Sequence, residues 1–235
     1  MAGEVVICYN IYMFFVKKKS DKKGFTLIEL LVVITIFVLL TGVVLINQQK
    51  FNSTILLTNL AYDTALNIRQ AQNYGINVKE FSNNGTSQFN PYGVHFKTDD
   101  LTTSNYDESK SFILYSDLSY NPVANTSNGV YPATADISVC QDDKGCVNRY
   151  NIKRGNSIVD ICEEAVSKGV FTCSPNMSRT SLDVVFVRPN PDAHLRFNSL
   201  VTESTVGAAT IILGSPDGST RKVEVRSNGL IEVVN

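Results

Sequence analysis

The stretch FTLIELLVVITIFVLLTGVVLI, residues 25–46, decides the architecture of this chain of 235 residues. Its 22 residues are apolar or small except for one charged side chain, Glu29. A helix of this length measures about 33 Å, which is close to the thickness of the hydrocarbon core of a bilayer. The sequence therefore predicts a membrane-spanning helix over residues 25–46.

The residues before this helix indicate its orientation. KKKSDKK, residues 17–23, contains five lysines. Cytoplasmic flanks of membrane helices are rich in Lys and Arg, so we expect the N-terminus in the cytoplasm and the chain after residue 46 outside. No second apolar stretch approaches membrane length, which predicts a single-pass protein.

Three interpretations of the apolar segment compete: a cleaved secretory signal, a plain anchor and a segment with a polar partner. The apolar core is long for a secretory signal, and no small-x-small cleavage site follows Ile46. A plain anchor does not need Glu29, since a carboxylate inside a bilayer costs on the order of a few kcal/mol. The acid therefore suggests a partner, and a free α-amino group on a neighbouring Phe25 would serve.

KKGFTLIELLVVI, residues 22–34, closely resembles the class III signal of type IV pilins and type II secretion pseudopilins. The resemblance implies that a prepilin peptidase cuts between Gly24 and Phe25 and that Phe25 is then N-methylated. It assigns to Glu29 the pairing with the α-amine of the adjacent subunit. The implied partners are other pilin or pseudopilin subunits and an inner-membrane assembly platform driven by an ATPase.

The leader, residues 1–24, departs from that family pattern because it is long and because its first part, VVICYNIYMFFV, is apolar. Translation from Met13 would give a shorter and more typical leader. We therefore interpret residues 1–12 as a mis-assigned start. If they are translated, they form a second, short membrane-associated stretch.

Residues 47–75 continue the helix in amphipathic form. Apolar side chains recur at spacings of three, four and seven, which suits one face of a helix. These side chains are Phe51, Ile55, Tyr62 and Leu66, and again Leu57, Ala61, Ala65 and Ile68. Core packing is the preferred explanation. No proline interrupts residues 25–74, so the pattern predicts one helix of about 50 residues that stops at Gly75.

Residues 76–235 change to the period of two that is typical of strands. The predicted strands are YGVHF (92–96), SFILYS (111–116), LDVVFVR (182–188), ATIILG (209–214), RKVEVR (221–226) and LIEVV (230–234). The first two should be neighbours, and the C-terminal half should form a short antiparallel meander joined by turns at residues 215–218 and 227–229. The expected fold class is α+β, with one long helix packed on an antiparallel sheet as in pilins.

Several head segments together resemble the GspH/FimT group of minor pseudopilins. They are LAYDTALNIRQAQNYGINV after the anchor, YGVHF with SFILYSD, and RKVEVRSNGLIEV at the end. Residues 121–179 have no counterpart in that resemblance and are interpreted as an insertion in the head. For minor subunits the resemblance implies a role in priming assembly, capping the tip or contacting cargo.

Four cysteines of the predicted mature chain lie in this insertion: Cys140, Cys146, Cys162 and Cys173. Four cysteines allow three disulfide connectivities, and we favour Cys140–Cys146 with Cys162–Cys173 because both close short loops. A zinc site is the alternative, although these spacings are poor for zinc ligands. QDDKG, residues 141–145, lacks the regular acidic spacing of a calcium loop and is interpreted as a solvated turn.

No catalytic or cofactor motif emerges, so we expect neither an enzyme nor a cofactor. The two histidines, His95 on the polar face of a strand and His194 in a loop, belong to no recognisable catalytic pattern. The whole chain carries a net charge of −1; the leader carries +3, which leaves −4 for the mature chain. This balance argues against a general nucleic-acid binder. A second hypothesis remains: a minor pilin whose head binds an external ligand, with DNA left open.

Overall fold

The computed structural model describes residues 24–83, 85–98, 107–121, 128–131, 140, 144–165, 171–173, 180–198 and 206–234. Most of the predicted leader and parts of the predicted insertion lie outside these residues. The fold is α+β, as expected from the sequence. The chain divides into two compact units, Met1–Ile46 and Asn47–Asn235.

The first unit consists of the start of helix α1, which runs from Leu27 to Ile76 as one helix of 50 residues. Leu27–Leu45 has a mean hydropathy of 2.8 and is long and apolar enough to cross a membrane. Every residue from 24 to 45 is exposed. Such an apolar surface is stable only when lipid or another protein covers it.

In the described part of the second unit lie the rest of α1, twelve strands and a short 3₁₀ helix, Glu108–Lys110. The strands are β1 (Phe81–Asn83), β2 (Thr86–Gln88), β3 (Tyr92–Lys97), β4 (Ser111–Ser116), β5 (Cys146–Asn151), β6 (Ser157–Ala165), β7 (Phe171–Cys173), β8 (Ser181–Phe186), β9 (Ala193–Phe197), β10 (Val206–Gly214), β11 (Thr220–Arg226) and β12 (Ile231–Val234). All pairings between them are antiparallel.

These strands form two five-stranded sheets and a small ribbon, where the sequence predicted a single sheet. The sheet orders are β5-β4-β3-β8-β9 and β12-β11-β10-β6-β7, and β1 pairs with β2. The two large sheets contribute to one apolar core, which also contains the inner face of α1. Alternating side chains of β3, β4 and β8 face that core, as a period of two requires.

The predicted C-terminal meander is confirmed only for β10–β12. The strand predicted at residues 182–188 is β8, which ends at Phe186 and pairs with β3 and β9 instead. The reason is burial: every residue of β8 is buried, so this strand needs a neighbour on each side and cover on both faces.

The predicted insertion, residues 121–179, supplies β5, β6 and β7 to the two main sheets. β5 is an edge strand beside β4, and β6 lies between β10 and β7. Disulfides join Cys140 to Cys146 and Cys162 to Cys173, which are the two pairs favoured from the sequence. Cys162 and Cys173 lie directly opposite each other on β6 and β7.

Only one of the two apolar stripes of α1 belongs to the core. Leu57, Ala61, Ala65 and Ile68 are buried. Ile55, Tyr62 and Leu66 are 42%, 57% and 60% exposed, so core packing is the wrong explanation for them. Five residues separate Leu57 from Tyr62, which places the two stripes roughly 140° apart around the helix.

The sequence predicted that the helix stops at Gly75, whereas it continues by one residue to Ile76. Gly75 is needed for close packing instead. A Cβ atom at this position would lie 2.6 Å from the carbonyl oxygen of Phe186 on β8. The glycine therefore lets the last turn of α1 approach the sheet backbone.

Candidate functional site

The N-terminus of α1 carries the residues that the sequence analysis assigned to processing and assembly. The helix begins at Leu27, directly after Thr26. The Glu29 amide donates a hydrogen bond of 3.2 Å to Thr26 Oγ1, and the Leu30 amide donates one of 3.1 Å to the Thr26 carbonyl. Thr26 is therefore the N-cap residue, and Glu29 occupies the position that an acid takes in a capping box.

Sequence reasoning missed this role of Thr26. The signal was present, because a threonine followed three residues later by a glutamate and an apolar run is typical of a helix start. The position also gives a local reason for an acid at residue 29, since the positive end of the helix dipole stabilises a carboxylate in the first turn.

Gly24 has no packing role in the described structure. A Cβ atom built on it would meet no atom within 4 Å, and its backbone does not adopt the left-handed conformation that favours glycine. Phe25, which follows it, is 81% exposed. The described fold therefore does not require a glycine at position 24.

The Glu29 side chain is exposed and has no ion-pair or hydrogen-bond partner among the residues that the structure describes. The apolar residues that follow it leave no internal group to neutralise the carboxylate. If this segment lies in a bilayer, the unpaired charge is costly there. A cation from another chain would offset that cost.

In the head, the structure brings His95 together with a buried carboxylate. His95 Nδ1 lies 2.8 Å from Asp183 Oδ1, and Asp183 is fully buried. The same oxygen accepts hydrogen bonds of 3.1 Å from the Tyr115 hydroxyl and from the Tyr131 amide. Burial, with a contribution from the charge of Asp183, raises the pKa of Tyr115 well above its usual range, so this hydroxyl remains a donor.

This network fastens the segment 128–131 to the outer face of the sheet. The Tyr115 hydroxyl lies 3.2 Å from the Gly129 carbonyl, and the Gly129 amide donates to Asp117 Oδ2 at 2.9 Å. His95 is therefore buried under this segment, whereas the sequence placed it on a polar face. The contacts of His95 with Asp183 belong to the same network that packs this segment on the sheet. His194 lies on β9, not in a loop.

One group of possible metal ligands occurs in the described part of the chain: Asp160, Cys162 and Cys173, whose ligand atoms lie within 4.8 Å of one another. Both cysteines of this group are joined in a disulfide, which removes the thiolates that a zinc site would use. Residues 141–143 of the QDDKG segment, interpreted from the sequence as a solvated turn, lie outside the described residues.

Residues 19–45 match the family model of the prokaryotic N-terminal methylation motif. No curated protein and no solved structure shows a significant similarity to the chain. The motif implies processing by a prepilin peptidase and assembly with other pilins. It also suggests a structural rather than an enzymatic subunit. Together with the apolar helix that follows, the motif points to a membrane-anchored, type IV pilin-like protein of a pilus or pseudopilus.

Proposed function

We propose that this protein is a minor pilin or pseudopilin, a structural subunit of a type II secretion pseudopilus or a type IV pilus. The methylation motif over residues 19–45 is the observation that carries the proposal. In the proposed pathway, a prepilin peptidase removes residues 1–24, Phe25 is N-methylated, and residues 25–46 hold the subunit in the inner membrane with the head outside.

Assembly then replaces lipid around the apolar helix by the helices of neighbouring subunits. The exposed side chains of Leu27–Leu45 support this step, because no part of the chain that the structure describes covers them. Glu29 pairs with the α-amine of an adjacent Phe25 and sets the register between subunits. This pairing, the assembly platform and membership of the GspH/FimT group are parts of the proposal.

The second candidate function is a minor pilin whose head binds an external ligand, in adhesion or DNA uptake. An open groove in the head, lined by Arg149, Lys153 and Arg154, favours this alternative over a purely structural head. The two functions are compatible, since a subunit at the filament surface or tip can serve both.

Leader cleavage tests the proposal directly. Gly24→Val should block the cut, because the peptidase must accept the residue before the scissile bond in an extended form. Gly42→Val is the matched control, since a Cβ atom at either glycine meets no atom within 4 Å. Both proteins are expressed with a prepilin peptidase and analysed by N-terminal sequencing. We expect uncut Gly24→Val and Phe25 as the N-terminus of the control; cleavage before Phe25 in both variants would refute the proposed processing site.

A further inference from the structure

A second groove of the head lies between α1 and the C-terminal strand β12, and we call it the helix–strand groove. Its volume is about 520 Å³. The helix wall carries Tyr62, Ala65, Leu66 and Arg69, and the strand wall consists of residues 231–234. At the usual rise per residue, the strand wall is about 13 Å long and the helix wall about 10 Å. The groove is therefore as long as three or four residues of an extended chain.

β12 has an unpaired edge on the side of this groove. It lies at the end of its sheet and, among the described residues, pairs only with β11. The Arg226 amide donates a hydrogen bond of 2.9 Å to the Leu230 carbonyl, so the carbonyl of residue 230 faces β11. In an antiparallel pair this direction alternates from one residue to the next. The amides and carbonyls of Ile231 and Val233 therefore face away from β11, toward the groove.

Arg69 lies at one end of this edge. Its Nη2 donates a hydrogen bond of 3.1 Å to the Ile231 carbonyl. The guanidinium is exposed, and its other N–H groups have no partner among the described residues. A guanidinium presents five donors in a planar fork that suits a carboxylate. Arg69 can therefore bind a carboxylate at the end of the groove where β12 begins.

The groove also has an apolar side and one acid. Tyr62 and Leu66 are 57% and 60% exposed, beside a sheet edge of the kind that proteins usually cover or charge. Glu232 is exposed, lies on the opposite face of β12 from Ile231 and Val233, and forms no ion pair in the described part of the chain. A strand added to this edge would direct alternate side chains toward the helix and the side chain between them toward Glu232.

We propose that the helix–strand groove binds the C-terminal end of a partner protein, which adds to the sheet as an extended strand antiparallel to β12. Because β12 runs away from Arg69, an antiparallel peptide ends beside Arg69, where its terminal carboxylate binds the guanidinium. The last residue and the third from the end lie opposite Ile231 and Val233 and are apolar. The residue between them lies opposite Glu232 and is basic.

A second copy of this chain is a poorer occupant of the edge. Two β12 strands, in the register that uses the free groups of both Ile231 and Val233, would bring the two Glu232 side chains directly opposite each other. Like charges in that position destabilise an antiparallel pair. The inference concerns the head alone and does not rest on filament assembly.

The test uses the full-length protein in detergent and peptides labelled with fluorescein at the N-terminus, with fluorescence anisotropy as the readout. The probe is Gly-Ser-Thr-Val-Lys-Val with a free C-terminal carboxylate, and we expect saturable binding. The same peptide with a C-terminal amide should bind about tenfold more weakly, the effect of losing one charge-assisted hydrogen bond. A peptide with Glu in place of Lys should bind about threefold more weakly, because it places an acid opposite Glu232.

Arg69→Gln should bind the carboxylate and amide peptides equally. Arg154→Gln is the matched control, because Arg154 is an exposed arginine before β6 and outside this groove, and it should keep the preference for the carboxylate. The preference compares two peptides on one protein, so it remains a valid readout if Arg69→Gln changes the stability of the head.

Hydrogen exchange at single-residue resolution locates the bound peptide. The probe should slow exchange of the Ile231 and Val233 amides and leave that of Glu232, which already faces β11, unchanged. The proposal is overturned by no binding of the probe, by equal binding of carboxylate and amide to the wild type, or by a preference that survives Arg69→Gln. Unchanged exchange at both amides, or their protection by self-association without peptide, would also overturn it. None of these results affects the leader-cleavage test of the proposed function.

Discussion

Gly24, Thr26 and Glu29, which lie just before or within the first turn of α1, have different physical roles. Among the described residues nothing requires a glycine at position 24, and under our proposal the peptidase that cuts after it does. Thr26 has a local role, since it caps the helix. Glu29 has both a local and an external role under our proposal. The helix dipole favours an acid in the first turn, yet the dipole alone does not offset the cost of a carboxylate in lipid.

Replacement of Glu29 separates an assembly subunit from a plain anchor. In an anchor, Glu29→Leu removes a desolvation cost, so the protein should be processed, inserted and at least as abundant as the wild type. In an assembly subunit, the variant should be cut and inserted normally but enter filaments poorly. Losing one member of a buried ion pair costs about 3–5 kcal/mol. The measurement is the fraction of processed protein in sheared filaments.

Thr26→Ala is the control for that experiment, because it weakens the cap by about 0.5–2 kcal/mol without changing the charge. It should enter filaments better than Glu29→Leu. Equal incorporation of wild type and Glu29→Leu would remove the pairing role from Glu29. A subunit at the very tip, with no neighbour above it, would show a smaller loss.

At the scale of the element, the head part of α1 is apolar on two faces. The stripe that contains Leu57 and Ile68 is buried in the core. The stripe of Ile55, Tyr62 and Leu66 is exposed, and an open groove beside it is lined by Tyr62, Leu66 and the edge strand β12. Under the proposed function, this exposed stripe contacts neighbouring subunits.

Leu66→Glu tests that contact. Leu66 is 60% exposed, so the free energy of unfolding should change by no more than about 0.5 kcal/mol. Filament incorporation should fall clearly, because the charge would be buried against a neighbour. Gln70→Glu adds the same charge on the exposed face without removing apolar surface and should have the smaller effect. Normal incorporation of Leu66→Glu would show that this stripe makes no contact in the filament.

The disulfide between β6 and β7 should contribute to the stability of the head. The Cys162–Cys173 disulfide closes a loop with a sequence separation of 11. Cys162→Ser with Cys173→Ser should lower the free energy of unfolding by about 2–3 kcal/mol, mainly because the unfolded chain gains entropy. Denaturant unfolding of the two proteins measures the difference.

The oxidation state of the four cysteines provides a separate check of the same prediction. In protein extracted without reductant, Cys140, Cys146, Cys162 and Cys173 should all be protected from alkylation, as the two disulfides require. Mass spectrometry of the alkylated chain reads this out. Four reactive thiols would contradict both pairs.

At the scale of the whole molecule, the second unit is held together by a core that two sheets and the inner face of α1 share. Large aromatic side chains fill it, including fully buried Tyr92, Phe96, Phe112 and Phe186. Tyr92 keeps its hydroxyl satisfied by donating to the Lys79 carbonyl at 3.1 Å. A buried phenol of this kind ties the stability of the head to pH.

Burial, with smaller contributions from the nearby Tyr74 and Glu80, raises the pKa of Tyr92 to about 12. Between about pH 10 and pH 12 the folded state therefore keeps the phenol proton of Tyr92. The unfolded chain, with a phenol pKa near 10, has released it in that range. The contribution of Tyr92 is complete below about pH 10 and is lost as the pH rises toward 12. The full shift corresponds to on the order of 2–3 kcal/mol.

Tyr92→Phe should reduce this alkaline loss. At pH 7 the variant should be less stable by about 1 kcal/mol, because it loses one hydrogen bond. Between pH 10 and 12 its free energy of unfolding should fall less than that of the wild type. Denaturant unfolding at several pH values, followed by near-UV circular dichroism, gives both curves. Parallel curves would show that Tyr92 does not control the alkaline transition.

The sequence alone determined the features that depend on short, contiguous patterns. Length and hydropathy define the apolar segment, and a linear motif defines Gly24, Phe25 and Glu29, whose roles in processing and assembly stay predictions. Helical periodicity without proline predicts α1 nearly to its ends. Turn residues close to their strands predict the β10–β12 meander, because the partners in a hairpin are neighbours along the chain.

The tertiary structure decided everything that depends on distant partners. It placed β8 beside β3, brought β5–β7 into the main sheets, and required Gly75 against Phe186. It also chose which apolar stripe of α1 is buried and covered His95 with the segment 128–131. Periodicity indicates which residues share a face, but burial of that face depends on what packs against it. Which face is buried is therefore fixed only when the two sheets and the helix pack together around one core.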